Sequence, residues 1–293
     1  MFMEKLKKVE LIRVCPACHA QLLEQSNNLQ CTACKSEYMQ ISNSDVLLRE
    51  SHALRDYYEN GEYKPQQFNK RKLPTPEERL WSNSSKRCIR KLLQDVNPDD
   101  SNKIVLNLGA GIEKIFISAF SSYKTILKLG LPTRGKVEII GDAEELPIAS
   151  ESVDAYLSSS VLEHVKNPDK AVAEMFRVLK KGGVVYAEIP FMRAYHMAPW
   201  DYQRYTISGI EALFERHGFT LVEKGICSGP FTAWALFTRD FFVVIMPIGI
   251  LKKMARIFFS WTLHPVKFLD RFVENKKWAN FLACNFYYYG RKN

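Results

Sequence analysis

From residue 103 onward, short apolar runs alternate with amphipathic segments. An apolar run that ends at a glycine or a small polar residue is typical of a buried parallel strand. The predicted strands cover residues 104–108, 125–129, 137–140, 153–157 and 184–189, followed by 218–226 and 281–289. Strand–helix alternation of this length predicts an α/β fold, with a parallel sheet covered by helices on both faces.

Helix signals fall between these strands. Asn167, Pro168 and Asp169 supply an N-cap, a first-turn proline and an acid beside the positive end of the helix dipole. Apolar residues then recur at helical spacing as far as Leu179, and the glycine pair at 182–183 predicts the helix end. Further helices are expected from the Pro74–Pro76 region to about Asp95 and over residues 206–217.

The first 50 residues follow a different pattern. Residues 9–50 predict a small β module, in which Cys15 and Cys18 form one Cys-x-x-Cys pair and Cys31 and Cys34 form a second. Two such pairs offer four thiolates in a tetrahedron, which is the geometry of structural zinc. Iron in the same cage and a redox pair are the alternatives. With four protein ligands, a zinc ion here has no open position and is not expected to be catalytic.

Composition and charge narrow the class of protein. The chain has 293 residues, of which 46% are hydrophobic and 25% charged, and a formal net charge of +9. Nine of its Lys and Arg residues, against two acids, lie between residues 251 and 293. The amino terminus has no continuous apolar core, and the longest apolar run, residues 241–251, is shorter than a membrane span. We expect a cytoplasmic protein.

Several short motifs follow the predicted strands at regular distances. A first strand runs into Gly109 and Gly111, where missing side chains let a ligand approach the backbone. Asp142 and Ala143 follow the third strand, Ser158 and Ser159 end the fourth, and Glu163-His164 comes just after it. Together these segments, over residues 103–189, resemble the class I methyltransferases of the type 11 family.

This resemblance implies a Rossmann-like, seven-stranded methyltransferase sheet that binds S-adenosylmethionine (SAM). Gly109 and Gly111 would lie against the methionine part of the cofactor, together with Asn107 in place of the more usual acid. Asp142 would bind the adenine amino group beside Ala143, and Ser158 and Ser159 would face the sulfonium. These residues all lie at the carboxyl ends of strands, where open α/β sheets bind ligands.

One position departs from the family pattern. The second strand normally ends in an acid that binds the ribose hydroxyls, and that position falls at about Gly130. A glycine has no side chain with which to accept these hydrogen bonds. Glu113 is a neighbour that would compensate; otherwise the affinity for SAM is reduced, or the domain does not use the cofactor catalytically.

The candidate acid–base residues are His164, His196 and Asp201. His196 and Asp201 lie in the segment after the fifth strand, among aromatic residues and Arg204, which suits a polar, sugar-bearing acceptor. An ion pair between Asp201 and Arg204 that caps the next helix is the structural alternative. Some quinone-pathway methyltransferases bind a metal through an acid three residues before the Glu-His pair, but here that position is Ser160.

Two more segments suggest partners. Residues 15–48 resemble the short zinc-ribbon proteins that activate tRNA and release-factor methyltransferases. An inserted segment, at about residues 230–275, is apolar and aromatic and then basic, which fits a helix at an anionic membrane surface, a cover helix or a dimer contact. We therefore expect a zinc ribbon over residues 1–50, a linker over 51–80 and a methyltransferase domain over 81–293.

The function predicted is methyl transfer from SAM to an oxygen or nitrogen of a small-molecule, sugar or lipid-linked glycan acceptor. The enzyme would work near the inner face of a bacterial membrane. RNA methylation is an alternative that the ribbon and the basic charge allow, although the basic residues cluster far from the ribbon. A non-catalytic scaffold with the methyltransferase fold is the third hypothesis, and Gly130 is its main support.

Overall fold

The computed structural model describes residues 2–25, 28–41, 44–52, 74–77, 80–97, 100, 102–109, 126–129, 137–196 and 199–293. Its strands are β1 (Leu22–Gln25), β2 (Asn28–Cys31), β3 (Glu37–Ile41), β4 (Ser44–Leu47), β5 (Val105–Leu108), β6 (Ile126–Leu129), β7 (Ile139–Gly141), β8 (Val153–Ser159), β9 (Leu179–Pro190), β10 (Phe219–Ser228) and β11 (Asn285–Lys292). Its α-helices are α1 (Phe2–Ile12), α2 (Asn83–Val96), α3 (Pro168–Val178), α4 (Ile207–Glu215), α5 (Pro230–Ile245), α6 (Gly249–Thr262) and α7 (Asp270–Val273). Short 3-10 helices cover Leu162–His164, Pro265–Leu269 and Lys277–Phe281.

The α/β class is confirmed, but the sheet is larger than the seven strands predicted. In the described part of the chain, eleven strands form one sheet in the order β1-β2-β3-β4-β7-β6-β5-β8-β9-β11-β10. The strands from β4 to β9 in this order pair in parallel, whereas β11 is antiparallel to both β9 and β10. The four extra strands, β1 to β4, come from the cysteine-rich segment (residues 2–52), because β4 pairs in parallel with β7.

The boundaries of two helices differ from the prediction. The helix expected to begin near Pro74–Pro76 begins at Asn83, because the side chain of Ser82 caps it by accepting a hydrogen bond from the backbone N–H of Ser85. Helix α3 begins at Pro168 with Asn167 as its cap, as predicted, but it ends at Val178 and not at the glycine pair. Leu179 already pairs with Val153 of β8, so the glycines lie within β9.

The main hydrophobic core extends across both parts of the sheet. One cluster of buried side chains includes Ile12, Leu29 and Tyr38 from the cysteine-rich segment and Leu106 and Tyr156 from the strands beyond it. A second cluster packs α2 against the opposite face, with Ile89, Leu157 and Tyr186 among its members. No helix of the described residues has both the length and the apolar character needed to cross a bilayer.

Candidate cofactor and acceptor site

The carboxyl ends of the parallel strands bring together most of the residues predicted to bind the cofactor. Asn107 is the third residue of β5, Ser158 and Ser159 end β8, and β5 pairs directly with β8. Asp142 and Ala143 follow β7 at the same edge. Gly111, together with Glu113 and Gly130, lies outside the described residues. Open α/β sheets bind ligands at this edge of the sheet.

Gly109 marks a close backbone approach at the end of β5. Its φ angle is +82°, in the left-handed region that glycine adopts without strain. A Cβ atom at this position would lie 2.3 Å from Cγ2 of Val161, the residue that precedes the Leu162–His164 turn. The backbone N–H of Gly109 donates to the carbonyl of Leu129 at 3.0 Å. The turn therefore requires glycine, whatever ligand lies beside it.

Two buried polar atoms near this turn have no partner among the described residues. The Oδ1 atom of Asn107 and the Oγ atom of Ser158 make no hydrogen bond there, although these residues are only 4% and 1% exposed. Buried polar atoms are nearly always paired, because an unpaired one costs about 1–3 kcal/mol. Polar atoms kept at such a cost fit a site for a polar ligand, such as the amino-acid end of SAM.

Ser159 differs from Ser158 because it is held in place. Its hydroxyl donates to Oε2 of Glu188 at 2.8 Å, and the backbone N–H of Ser160 donates to the Glu188 carbonyl. Glu188 is buried in β9, next to the carboxyl ends of the strands. The sequence prediction missed this residue, although a charged residue inside an apolar strand was the available signal.

Asp142 contacts a residue from the cysteine-rich half of the sheet. Its Oδ2 atom lies 3.4 Å from Nε2 of His52, and its Oδ1 atom accepts the backbone N–H of Glu144. Burial raises the pKa of this carboxyl, but the hydrogen bonds from His52 and Glu144 outweigh it and hold the pKa below its ordinary value. Asp142 is thus ionised at neutral pH and able to accept a hydrogen bond.

The three candidate acid–base residues lie together on the acceptor side. The rings of His164 and His196 are 5.0 Å apart, edge to face. Both Nε2 atoms point to Oε1 of the buried Glu163, at 3.7 and 3.8 Å. The Nδ1 atom of His164 lies 2.5 Å from the carbonyl of Trp200. Glu163, His164 and His196 therefore offer three ligand atoms within 4.8 Å of one another, which makes them a second group able to hold a metal.

Asp201 is anchored by Arg204 in the ion pair that the structural alternative expected, but the helix that follows is capped by Thr206 and not by this pair. The guanidinium donates to both carboxylate oxygens, at 2.5 and 2.7 Å. Asp201 also accepts the backbone N–H of His196 at 2.7 Å and lies 3.3 Å from its Nδ1. Burial raises the pKa of Asp201, but these bonds outweigh it, so that the pKa is lowered overall. The carboxylate therefore orients His196 and remains negatively charged.

His196 has a lowered pKa. Burial disfavours the imidazolium and is the largest cause, and the positive charge of Arg193 adds to it. A hydrogen bond to the Ala194 carbonyl and the charge of Asp201 act in the opposite direction but do not compensate. His196 is consequently neutral at pH 7, the state in which an imidazole is able to accept a proton.

The four cysteines lie in one cage. The Sγ atoms of Cys15 and Cys34 are 3.6 Å apart, those of Cys18 and Cys31 are 3.4 Å apart, and all four lie within 4.8 Å of one another. A tetrahedral zinc site with bonds of about 2.3 Å requires sulfur separations of about 3.8 Å. The cage therefore fits zinc with only a small expansion.

Each cysteine pair folds in the same way. The N–H of the first cysteine donates to the carbonyl five residues later, from Cys15 to Ala20 and from Cys31 to Ser36. The residue after each second cysteine, His19 or Lys35, has a positive φ angle. The two turns therefore share a backbone conformation that is strained for a residue other than glycine.

Comparisons with known proteins agree with the sheet and its motifs. Residues 123–187 match the family model described as a methyltransferase domain. A demethylmenaquinone methyltransferase from Renibacterium salmoninarum is 48% identical over 65 residues, which are 22% of this chain and 27% of that protein. The 2-methyl-6-phytyl-1,4-hydroquinone methyltransferase 1 of Oryza sativa subsp. japonica is 44% identical over 46 residues, 16% of this chain and 14% of that protein.

These matches are short, since the chain spans 27% of the length of the first relative and 14% of the length of the second. Among solved structures, the Haemonchus contortus phosphoethanolamine N-methyltransferase 2 in complex with S-adenosyl-L-methionine aligns with a TM-score of 0.43 and 17% identity. That alignment covers 71% of this chain and 52% of the other. The match to the methyltransferase-domain model, at residues 123–187, includes β6, β7 and β8 and extends into β9.

Proposed function

We propose that this protein is a SAM-dependent methyltransferase that acts on an oxygen or nitrogen of a small-molecule acceptor. The observation that carries the proposal is the pair of buried, unpartnered polar atoms of Asn107 and Ser158, beside the Gly109 turn, in a chain that matches a methyltransferase domain. Bound SAM supplies an electrophilic methyl group. The protein then has to align the acceptor with that methyl group and take up the proton that the acceptor loses.

In this proposal the strand ends hold the cofactor. Asn107, Gly109, Gly111 and Ser158 bind the methionine part. Asp142 and Ala143 bind the adenine, as in the family that the sequence resembles. Ser159 is held by Glu188 and so shapes the wall of the cleft rather than donating to the ligand.

The acid–base group completes the proposed chemistry. His196, neutral at pH 7 and oriented by Asp201, accepts the proton of the acceptor. His164 lies beside it, and the buried carboxyl group of Glu163 is close enough to both rings to stabilise the imidazolium that forms.

For the acceptor, we propose a compound that joins a polar reacting ring to an apolar chain. The names of the two relatives describe a quinone and a phytyl hydroquinone, and the sequence-based alternative is a sugar on a lipid-linked glycan. All three compounds join a polar ring to an apolar chain. The protein would meet such an acceptor at the cytoplasmic face of a membrane.

We further propose that the cysteine cage binds structural zinc, supported by the sulfur distances and the paired turns. Residues 1–50 would form the zinc ribbon and residues 81–293 the methyltransferase domain, joined by residues 51–80. With four thiolates the zinc has no open position, so its role is to stabilise the ribbon.

Calorimetric titration with SAM tests the proposal, with Asn107→Leu as the decisive variant. The Asn107 side chain shares its strand face with Val105 and its register with Leu157, so leucine enters apolar surroundings. We expect saturable binding by the wild type and at least tenfold weaker binding by the variant. The unfolding temperature should stay the same or rise, because an unpaired polar group is removed.

Ser85→Ala is the matched control. Its hydroxyl is also buried, but it lies 2.6 Å from the hydroxyl of Tyr186 and so has a partner within the protein. This variant should lose stability and bind SAM normally. Absence of SAM binding by the wild type, or equal binding by Asn107→Leu, would contradict the proposed function.

A further inference from the structure

Exposed apolar side chains are concentrated in one part of the molecule. Of the twenty-four large apolar residues that are exposed in the described chain, seventeen lie between residues 234 and 282, in the segment inserted between β10 and β11. The other seven are scattered from Leu11 to Val222. Isolated exposed apolar residues are normal, whereas a concentration of this kind marks an interaction surface.

The two long helices of this segment expose apolar stripes. On α5, the stripe includes Trp234, Phe237 and Val244, while the opposite face, with Leu236 and Val243, is buried. On α6, Met254 and Phe258 recur at helical spacing, and both are exposed. An amphipathic helix normally turns its apolar stripe to the core. Here both helices also present an apolar stripe to the outside of the molecule.

The stripes are part of a well-ordered structure rather than a loosely attached segment. The rings of Phe242 and Phe259 stack at 4.4 Å and join α5 to α6. The carboxylate of Asp270 accepts backbone N–H groups of Gly229, Phe231 and Thr232, which fixes the first turn of α5. The exposed apolar face is therefore a fixed feature of the fold.

The exposed charges of α6 and of the residues after it are mainly positive, and the one acid of α5, Asp240, is paired with Arg239. Lys252, Lys253 and Arg256 of α6 are exposed, and Arg271, Lys276 and Lys277 follow. The acids of the same stretch are engaged elsewhere: Asp270 caps α5, and Glu274 accepts the backbone N–H of Asn83. A second copy of this chain would bring a surface of the same charge, whereas an anionic lipid bilayer is complementary in both charge and apolarity.

We propose that the α5–α6 surface lies in the interface of an anionic membrane, with both helices parallel to the bilayer plane. The docking is interfacial, because neither helix is suited to span a bilayer. Apolar stripes would enter the boundary between headgroups and acyl chains, while the basic side chains contact the headgroup phosphates. The proposal rests on this surface alone and does not depend on methyl transfer.

The position of the surface links it to the candidate site. The inserted segment leaves the sheet at Ser228, the end of β10, and returns at Cys284, whose N–H donates to the Ser228 carbonyl at 2.9 Å. The N–H of Phe191, the first residue after β9, donates to the Cys284 carbonyl. The segment that carries the α5–α6 surface and the segment after β9 that carries His196 and Asp201 thus meet at the same edge of the sheet. If the proposed function is correct, the acceptor reaches the site from the bilayer.

Vesicle co-sedimentation of the full-length protein tests the docking. Vesicles of phosphatidylcholine with phosphatidylglycerol should bind the wild type, and vesicles of phosphatidylcholine alone should bind it much more weakly. Replacing Lys252, Lys253 and Arg256 with Gln should weaken binding to the anionic vesicles on the order of 100-fold, since each basic residue near such a surface contributes roughly a factor of five.

The apolar contribution is tested by a double variant, Phe237→Gln with Phe258→Gln. Both side chains are more than 60% exposed, so the variant should fold normally and lose at least about tenfold in vesicle binding. Leu11→Gln, at a 78% exposed position on α1, is the matched control and should bind like the wild type.

Tryptophan quenching by brominated lipid locates the surface. Trp234 and Trp200 are almost equally exposed, at 53% and 55%, but only Trp234 lies on α5. Trp234→Phe should remove part of the quenching while leaving binding intact, because Trp261 on the exposed stripe of α6 is quenched as well, and Trp200→Phe should leave both unchanged.

Three results would overturn the proposal: no binding to anionic vesicles, equal binding by the double Gln variant, or a wild-type dimer that this variant dissociates while vesicle binding is unaltered. Preferential binding to RNA, with no vesicle binding, would also overturn it. SAM titration of the triple and double Gln variants separates failure of the membrane proposal from failure of the proposed function. Neither variant changes a residue that is proposed to bind the cofactor.

Discussion

Asp201 organises the acceptor side of the site through short contacts. It receives two hydrogen bonds from Arg204 and one from the backbone of His196, and it lies close to the ring of His196. A carboxylate that is satisfied in this way has a fixed orientation and stays ionised. Its effect on the pKa of His196 is opposed by burial, which is the largest cause of the lowered pKa, and by the positive charge of Arg193.

This balance predicts opposite shifts in two variants. Arg193→Gln removes a positive charge and should raise the pKa of His196 toward the ordinary value of about 6.5. Asp201→Asn removes a negative charge and should lower that pKa further. Ring NMR titration, assigned with His196→Gln, measures both. A wild-type midpoint at or above the ordinary value would show that burial does not govern this residue.

The sign of the corresponding stability effect follows from linkage. The pKa of His196 is lowered in the folded state, so the unfolded chain binds the proton first as the pH falls. The contribution of His196 to stability is therefore fully present above the unfolded value of about 6.5. It declines as the pH falls through the range between that value and the folded pKa.

Sequence reasoning located these positions better than it located their partners. Asn107, Asp142, Ser158, His164 and His196 were predicted as site residues because strand ends and motifs are visible in a linear pattern. The bond between Ser159 and Glu188 was missed, as was the approach of both imidazoles to Glu163, because these contacts join residues far apart in the chain.

The cysteine-rich strands are connected to the candidate cofactor site on two sides. On one side, the N–H of Val14 donates to the carbonyl of Pro147, and that of Ala149 donates to the carbonyl of Ile12. On the other side, Arg49 makes an ion pair with Glu145 at 2.6 Å. Residues 142–149, which include Asp142, are therefore held between the two ends of the cysteine-rich segment.

This arrangement predicts that zinc and SAM binding are coupled. Removing zinc with a chelator, or mutating Cys31→Ser, should loosen residues 142–149 and weaken SAM binding several-fold, measured by calorimetry. Arg49→Gln is a useful comparison, because it breaks the ion pair with Glu145 while leaving the cysteines intact. It should give a smaller loss, with the zinc content unchanged. SAM affinity that is identical with and without zinc would contradict the coupling.

The alternation of strands and helices was evident from the sequence because each element repeats its own period. Element boundaries were harder to predict. Leu179 fits the helical spacing of α3, yet it belongs to β9, where pairing with Val153 satisfies its backbone. The parallel pairing of β4 with β7 had no local signal at all, because the two strands are separated by about 90 residues of chain.

That pairing makes the cysteine-rich segment and the α/β region parts of one sheet and one core. Buried residues from α1, β2 and β3 belong to the same apolar cluster as residues of β5, β6 and β8. Arg13, only 7% exposed, binds both Glu24 and Asp45 and so ties the strands of the segment together. Few of these contacts would survive if one region unfolded alone.

We therefore predict a single cooperative unfolding transition, despite the two kinds of sequence in the chain. Differential scanning calorimetry of the zinc-loaded protein should give a calorimetric enthalpy close to the van't Hoff enthalpy. Zinc removal should lower the temperature of this one transition, because the metal binds only the folded cage. A separate low-temperature transition for the cysteine-rich segment would mean that the β4–β7 pairing is weak, and that the zinc ribbon is an independent domain.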